Sequence, residues 1–485
     1  MTSTSRTHSP ADLAARRQFL RRGAALAAGA FGATSLGQLL LNAKPAYAAD
    51  YKALVCIFQY GGSDGMNMVV PGDATRHGQY AGVRGALALP RTGLATLAGS
   101  DYGLHPAMAS LLPFWNQSQL APVFNLGPLH QPLTKAQYLA AGGTGATVPA
   151  SLFSHSDQQR QWESAVSDSL SRTGWAGRAS NALSTINPTI SVGGNGLFGV
   201  EDLRSPLVLP GPGSGFGAYG LMPQDQDWEP NRLRKAAVDA LYAEPQGNAI
   251  ATAFADQQRV AFEMSNRLSG IVGSLPGDAM SVPAIDAAFA PLITDGYIYT
   301  WLGQQMYQLA KLIAYNATVQ GNRQIFFATH GGYDNHNGQV GGSPTTGPHA
   351  ELLGELADAM ACFQTAMNSL GLGQAVTVFT QSDFGRTFAP NETFGTDHAW
   401  GNHHLVMGGA VKGKKTYGAY PTLVLGGPDD VGVEEWELQG RWIPTSSVDQ
   451  YAATLLSWFG ASASQLDAVL PNLVNFGSNR TLGFL

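Results

Sequence analysis

Lys52-Ala53-Leu54-Val55-Cys56-Ile57-Phe58-Gln59 runs straight into Tyr60-Gly61-Gly62-Ser63-Asp64-Gly65. The first stretch is a short apolar run rich in strand formers, and the second is a glycine-rich turn that delivers a carboxylate. The same plan recurs twice. Gln324-Ile325-Phe326-Phe327-Ala328-Thr329 leads into His330-Gly331-Gly332-Tyr333-Asp334, and Ala375-Val376-Thr377-Val378-Phe379-Thr380 leads into Gln381-Ser382-Asp383-Phe384-Gly385-Arg386. In open parallel α/β sheets, ligands collect at the carboxyl ends of the strands, so Asp64, Asp334 and Asp383 are expected to converge.

Spaced apolar positions with few breakers predict helices over 249–272, 298–316 and 349–370. Strands alternating with helices predict an α/β fold with a mostly parallel central sheet and helices on both faces. Segments 196–235 and 273–295 are rich in Gly, Pro and Asp and read as long loop or cap insertions. Without a fixed-period repeat or a clean linker, residues 50–485 read as a single domain.

The chain has 485 residues, of which 44% are apolar, enough for a sizeable packed core. Only 13% are charged, and 59 Gly with 27 Pro point to a turn-rich body whose loops carry the function. With 28 Lys and Arg against 34 Asp and Glu, the net charge of −6 provides no basic field for nucleic acid.

Residues 1–48 read as an export address. Arg16-Arg17-Gln18-Phe19-Leu20-Arg21 precedes a weakly apolar stretch from Gly23 to Leu41 and then Ala46-Tyr47-Ala48. This is the pattern of a twin-arginine signal peptide cleaved after Ala48, with the twin-arginine export machinery as partner and a periplasmic or secreted destination. Gly29, Gly32, Gly37 and Gln38 interrupt the apolar run, and no other segment reaches the ~18 apolar residues of a spanning helix, so no stable transmembrane segment is expected. The twin-arginine route carries folded proteins, which allows a metal to be loaded before export. Cys56 and Cys362 read as buried free thiols.

The chemistry-bearing residues are concentrated between 329 and 404: His330, Asp334, His336, His349, Asp383, Asp397, His398, His403 and His404. Six of the chain's 11 His lie there, and imidazole and carboxylate groups at strand ends form a donor set for Zn²⁺, Mn²⁺ or a related divalent ion. A second cluster, Phe153-Ser154-His155-Ser156-Asp157-Gln158-Gln159, precedes a helical pattern. A serine there is either a cap for free N–H groups or a nucleophile in the field of a helix N-terminus. Arg386 either holds an anionic substrate or pairs with a neighbouring carboxylate. There is no H-E-x-x-H or P-loop sequence.

Gln59-Tyr60-Gly61-Gly62-Ser63-Asp64-Gly65-Met66-Asn67, Phe153 through Gln159, Gly331-Gly332-Tyr333-Asp334-Asn335-His336, Ser382-Asp383-Phe384-Gly385-Arg386 and Gly395-Thr396-Asp397-His398-Ala399-Trp400-Gly401 resemble, in order, the signatures of a twin-arginine-exported bacterial family, domain of unknown function 1501. That family is regarded as a branch of the alkaline phosphatase superfamily, which also holds sulfatases. The resemblance implies an alkaline-phosphatase-like frame. Asp64, Asp334, His336, Asp383 and His398 would bind one or two divalent ions (Zn, Mn, Ca or Mg), and Ser154 or Ser156 would be the nucleophile. Two departures stand out: Asp334 and His336 are closer in sequence than the superfamily spacing, and Phe384 follows Asp383 where a ligand His is expected. His155, His403 or His404 are the substitutes at hand. The implied activity is exported, metal-dependent hydrolysis of a small-molecule or polysaccharide-linked phosphate or sulfate ester. The alternative is a non-catalytic cell-envelope binding or assembly protein on the same fold.

Overall fold

Eight strands form the central sheet: β1 (Lys52–Gln59), β2 (Leu120–Gly127), β3 (Ile190–Ser191), β4 (Leu207–Val208), β5 (Arg323–His330), β6 (Val376–Ser382), β7 (Asn402–Gly408) and β8 (Ser446–Ser447). Their order is β8-β2-β7-β6-β1-β5-β3-β4. β7 alone runs antiparallel to its neighbours β6 and β2, and the other pairings are parallel. The computed structural model describes residues 50–485 apart from 146, 169, 245 and 246, so the twin-arginine signal expected over 1–48 lies outside the described residues.

β1 occupies the middle of the sheet because both of its faces are apolar. Val55 and Ile57 join Phe326, Ala328, Val376 and Val378 in one core cluster. Leu54, Cys56 and Phe58 join Ile325, Phe327 and Phe379 in the other. Each fully buried side chain of this kind contributes roughly 1.5–3 kcal/mol.

Helices cover both faces. The described helices that matter here are α1 (His155–Ser164), α2 (Glu229–Ala243), α3 (Ala249–Gly273), α4 (Pro283–Phe289), α5 (Trp301–Ala314), α6 (Pro348–Ser369) and α7 (Val448–Phe459). Leu302, Met306 and Leu309 of α5 pack with Leu353, Met360 and Phe363 of α6 on the first face. Trp162 of α1 and Tyr451 and Leu455 of α7 cover the second.

Both stretches read as insertions carry regular structure. Leu207–Val208 pairs as the edge strand of the main sheet, and α2 begins at Glu229 with proline in its first turn. Within 273–295, Ile285 and Phe289 of α4 are buried in the main core. Cys56 and Cys362 are free and buried. Among the described residues, no helix is long and apolar enough to cross a membrane.

Candidate metal centre

The register of the central strands sets the site. Gln59 of β1 pairs with His330 of β5 on one side and Ser382 of β6 on the other, so three parallel strands end level and their loops crowd together. The antiparallel run of β7 starts at this same edge, which makes the chain between Ser382 and Asn402 pass over it carrying Asp397 and His398. The approach is close enough to demand glycine. A Cβ on Gly61, whose φ is +109°, would lie 2.5 Å from the backbone N of Asp334.

Arg386 ties these loops together. Its buried guanidinium donates from Nε to Gly62 O (2.8 Å), from Nη1 to Thr396 O (3.0 Å) and from Nη2 to Tyr333 O (3.2 Å). Nη2 also meets Gly61 O and the Asp334 carboxylate. Of the two roles open to this arginine, the structure shows the pairing with a neighbouring carboxylate, with most of its donors already engaged.

Three imidazoles gather around one oxygen of Asp334. Nε2 of His336, His155 and His398 lies 3.1, 3.3 and 3.5 Å from Asp334 Oδ1. Ligand atoms of His155, Asp334 and His398 all fall within 4.8 Å of one another. Four ligands about 2.0–2.1 Å from a tetrahedral Zn²⁺ stand about 3.3–3.4 Å apart, and the three imidazole nitrogens lie near that distance from Asp334 Oδ1. Nε2 of His155 is buried without a hydrogen-bond partner among the described residues.

The other nitrogen of each ring is held in turn. His155 Nδ1 is 2.6 Å from Asp383 Oδ2, His336 Nδ1 is 2.7 Å from Asp397 Oδ1, and His398 Nδ1 is 2.7 Å from the Phe153 carbonyl. Each partner accepts a proton, which fixes the Nδ1–H tautomer and leaves Nε2 aimed at the centre, as metal-ligating histidines require. Phe153 turns its carbonyl to His398 at the cost of a φ of +69°, a conformation a bulky side chain adopts only when its surroundings impose it.

Electrostatics follow from these contacts. Burial works to raise the Asp334 pKa, but the hydrogen bond and charge of Arg386, with His155 and His336, outweigh it and hold the carboxyl below its usual range. The hydrogen bond to Asp383 raises the pKa of His155, partly opposed by burial. Burial lowers that of His398, against the opposing bond to Phe153. Phe384 packs on this pair, with ring centroids 4.6 Å from His155 and 4.7 Å from His398, and so forms an apolar wall of the site.

Several expected residues lie elsewhere. Asp64 is 1% exposed, ion-paired with Arg84, and accepts hydrogen bonds from Gln339 Nε2 (2.6 Å) and Met66 N (3.2 Å). Asp383 stands behind His155, its Oδ2 also receiving Gln159 Nε2 (2.9 Å) and Gly61 N (3.1 Å). Its Oδ1 is buried without a partner among the described residues. His403 and His404 sit in the core on β7, where burial lowers both to about 3. His403 Nδ1 accepts from Asn125 N, and His404 Nδ1 lies 3.2 Å from Thr380 Oγ1.

Ser154 holds the N-cap position of α1, yet its hydroxyl makes no cap bond and donates instead to Asp157 Oδ2 (2.6 Å). Ser156 is exposed, its Oγ 3.3 Å from that of Ser154. Asp397, part of the donor set read from the sequence, stands behind His336 rather than at the centre, and the Phe153 carbonyl carries no sequence signal.

No curated protein matches the chain. A family model described as "Protein of unknown function (DUF1501)" matches residues 51–427, a span that takes in β1, β5, β6, β7 and all four residues of the imidazole–carboxylate cluster. The chain belongs to the DUF1501 family.

Proposed function

We propose that the mature chain is an exported hydrolase of a phosphate or sulfate ester, on an alkaline-phosphatase-like frame, with one divalent ion held by His155, Asp334, His336 and His398. The observation that carries this reading is the convergence of three Nε2 atoms on Asp334 Oδ1 with every Nδ1 anchored from behind. Such an ion supplies Lewis-acid polarisation of an ester oxygen and a lowered pKa for a bound hydroxyl or water. One ion is favoured over two because Asp64 is buried against Arg84 and Gln339, with none of the three imidazoles paired to it. Ser154 stands between Phe153 and His155, and its hydroxyl has a proton acceptor in reach, the Asp157 carboxylate, which suits it to act as nucleophile. Export by the twin-arginine route to the periplasm or beyond belongs to the same proposal, motivated by Arg16-Arg17 and Ala46-Tyr47-Ala48.

A second reading is a non-catalytic cell-envelope binding or assembly protein. It is favoured by the Phe384 ring, packed on His155 and His398 at the position where the resemblance calls for a further ligand.

The deciding experiment is elemental analysis of the mature chain beside Asp334→Ala and His336→Ala, followed by assays with p-nitrophenyl phosphate and p-nitrophenyl sulfate. The expected result is about one equivalent of a divalent metal per chain, lost in both variants, with chelator-sensitive turnover of one ester. A chain that stays metal-free after reconstitution sinks the hydrolase reading.

A further inference from the structure

Arg386 cannot receive a substrate anion with the donors it has committed to loop carbonyls and Asp334. A different arginine borders the cluster. Arg441 Nε donates to the backbone carbonyl of His398 (3.0 Å), and its guanidinium carbon lies 4.9 Å above the centroid of the Phe153 ring. It therefore touches both the ligand His398 and the residue whose carbonyl orients that ligand.

Its placement is fixed from below. Arg441 N donates to Asp430 Oδ1 (3.1 Å), and buried Asp430 also accepts from the backbone N–H of Gly426, Gly432 and Gly440. The loop is thus wrapped on one carboxylate, and the side chain is flattened on an aromatic face. Among the described residues, Nη1 and Nη2 have no hydrogen-bond partner and no ion pair within 4.0 Å, although Glu437 and Tyr138 feel the guanidinium charge. The side chain is only half-buried, so this free edge is open to a ligand.

We infer that Arg441 is the anion-recognising side chain of this centre, offering the two terminal nitrogens of its fork to the tetrahedral oxyanion of a phosphate or sulfate ester. The inference rests on the hydrolase reading for its class of ligand. A planar fork stacked on Phe153 is pre-organised, so little side-chain freedom is lost when an oxyanion docks.

The test is calorimetric titration of inorganic phosphate into the mature chain, with the metal content of every sample measured alongside. The wild type should bind phosphate, and Arg441→Gln should weaken binding by about 10-fold or more at unchanged metal content. Arg441→Lys should fall between, since the ammonium keeps the charge and loses the fork. Equal binding by Arg441→Gln, or no binding by the metal-loaded wild type, overturns the inference. A metal-free chain that still binds phosphate through Arg441 defeats the hydrolase reading and leaves the inference intact.

Labelling of the unaltered chain with phenylglyoxal, mapped by peptide mass, covers the case of variants that do not fold. Arg441 should react, and phosphate should slow its reaction, while buried Arg386 stays unlabelled. Labelling of Arg441 that phosphate leaves unchanged overturns the inference as well.

Discussion

The Nε2 atoms of His336 and His398 face each other at 2.8 Å. With Asp397 and the Phe153 carbonyl each accepting from an Nδ1–H, both Nε2 atoms present lone pairs to the same point. Two lone pairs at that distance repel unless a proton lies between them, and the rings must part by about half an ångström before both ligate one tetrahedral Zn²⁺. The arrangement is therefore poised to exchange that proton for the ion.

That exchange has a pH signature. His155 has a raised pKa in the folded chain, owing first to its bond with Asp383, so its contribution to the stability of the metal-free protein is full below the ordinary histidine value and is lost as pH rises through the raised one. Metal must displace this proton from the ring. Adding Zn²⁺ to the metal-free chain should release protons, read from calorimetry in two buffers of different ionisation enthalpy, and affinity should climb as pH rises through that range. An affinity that is flat with pH would contradict the assignment of His155 as a ligand.

Asp397 touches no metal in this scheme and acts through His336. Asp397→Asn should retain the fold and weaken metal binding by about 10–100-fold, measured by competition with a chromophoric chelator. His336→Ala should lose the metal outright. A variant Asp397→Asn with wild-type affinity would show that the ring is oriented by something else.

Gly61 and Gly331 provide a matched pair at the ends of neighbouring strands. Gly61→Ala would drive a Cβ into the Asp334 backbone at positive φ, whereas a Cβ on Gly331 meets nothing within 4 Å. Denaturant unfolding should show Gly61→Ala destabilised by about 2 kcal/mol or more, with reduced metal content, and Gly331→Ala within about 0.5 kcal/mol of wild type.

The two serines should separate cleanly. If turnover of an aryl phosphate or sulfate is found, Ser154→Ala should lower kcat by about 100-fold or more with the metal retained, and Ser156→Ala should stay near wild type. Equal losses in the two variants would move the nucleophile elsewhere.

Much of this architecture is legible in the chain. The runs at 52–59, 324–329 and 375–380 declare themselves because strands buried on both faces need continuous apolar sequence. Asp334 and His336 stand out because ligand-type residues follow such a run at a glycine turn, and His398 because it lies in the Gly395–Gly401 signature. The division of labour among the acids is not legible. Asp64 and Asp334 have the same local setting in sequence and each meets an arginine, yet only Asp334 also gathers three imidazoles. Helix α2 is masked in the sequence by surroundings rich in Gly and Pro, although Pro230 in its first turn is a start signal. Arg441 carries no motif, and its role comes from the loop that Asp430 gathers.

The level ends of β1, β5 and β6, and the reversed β7 beside them, also set an order of events. The proposed ligands come from positions 155, 334, 336 and 398, so a growing or partly collapsed chain offers at most the neighbouring Asp334 and His336. His155 and His398 arrive only when strands distant in sequence have paired, the slowest class of contact to form. On the proposed metal reading, tight metal capture would be a late step of folding, and retention of metal would report that the sheet edge is complete.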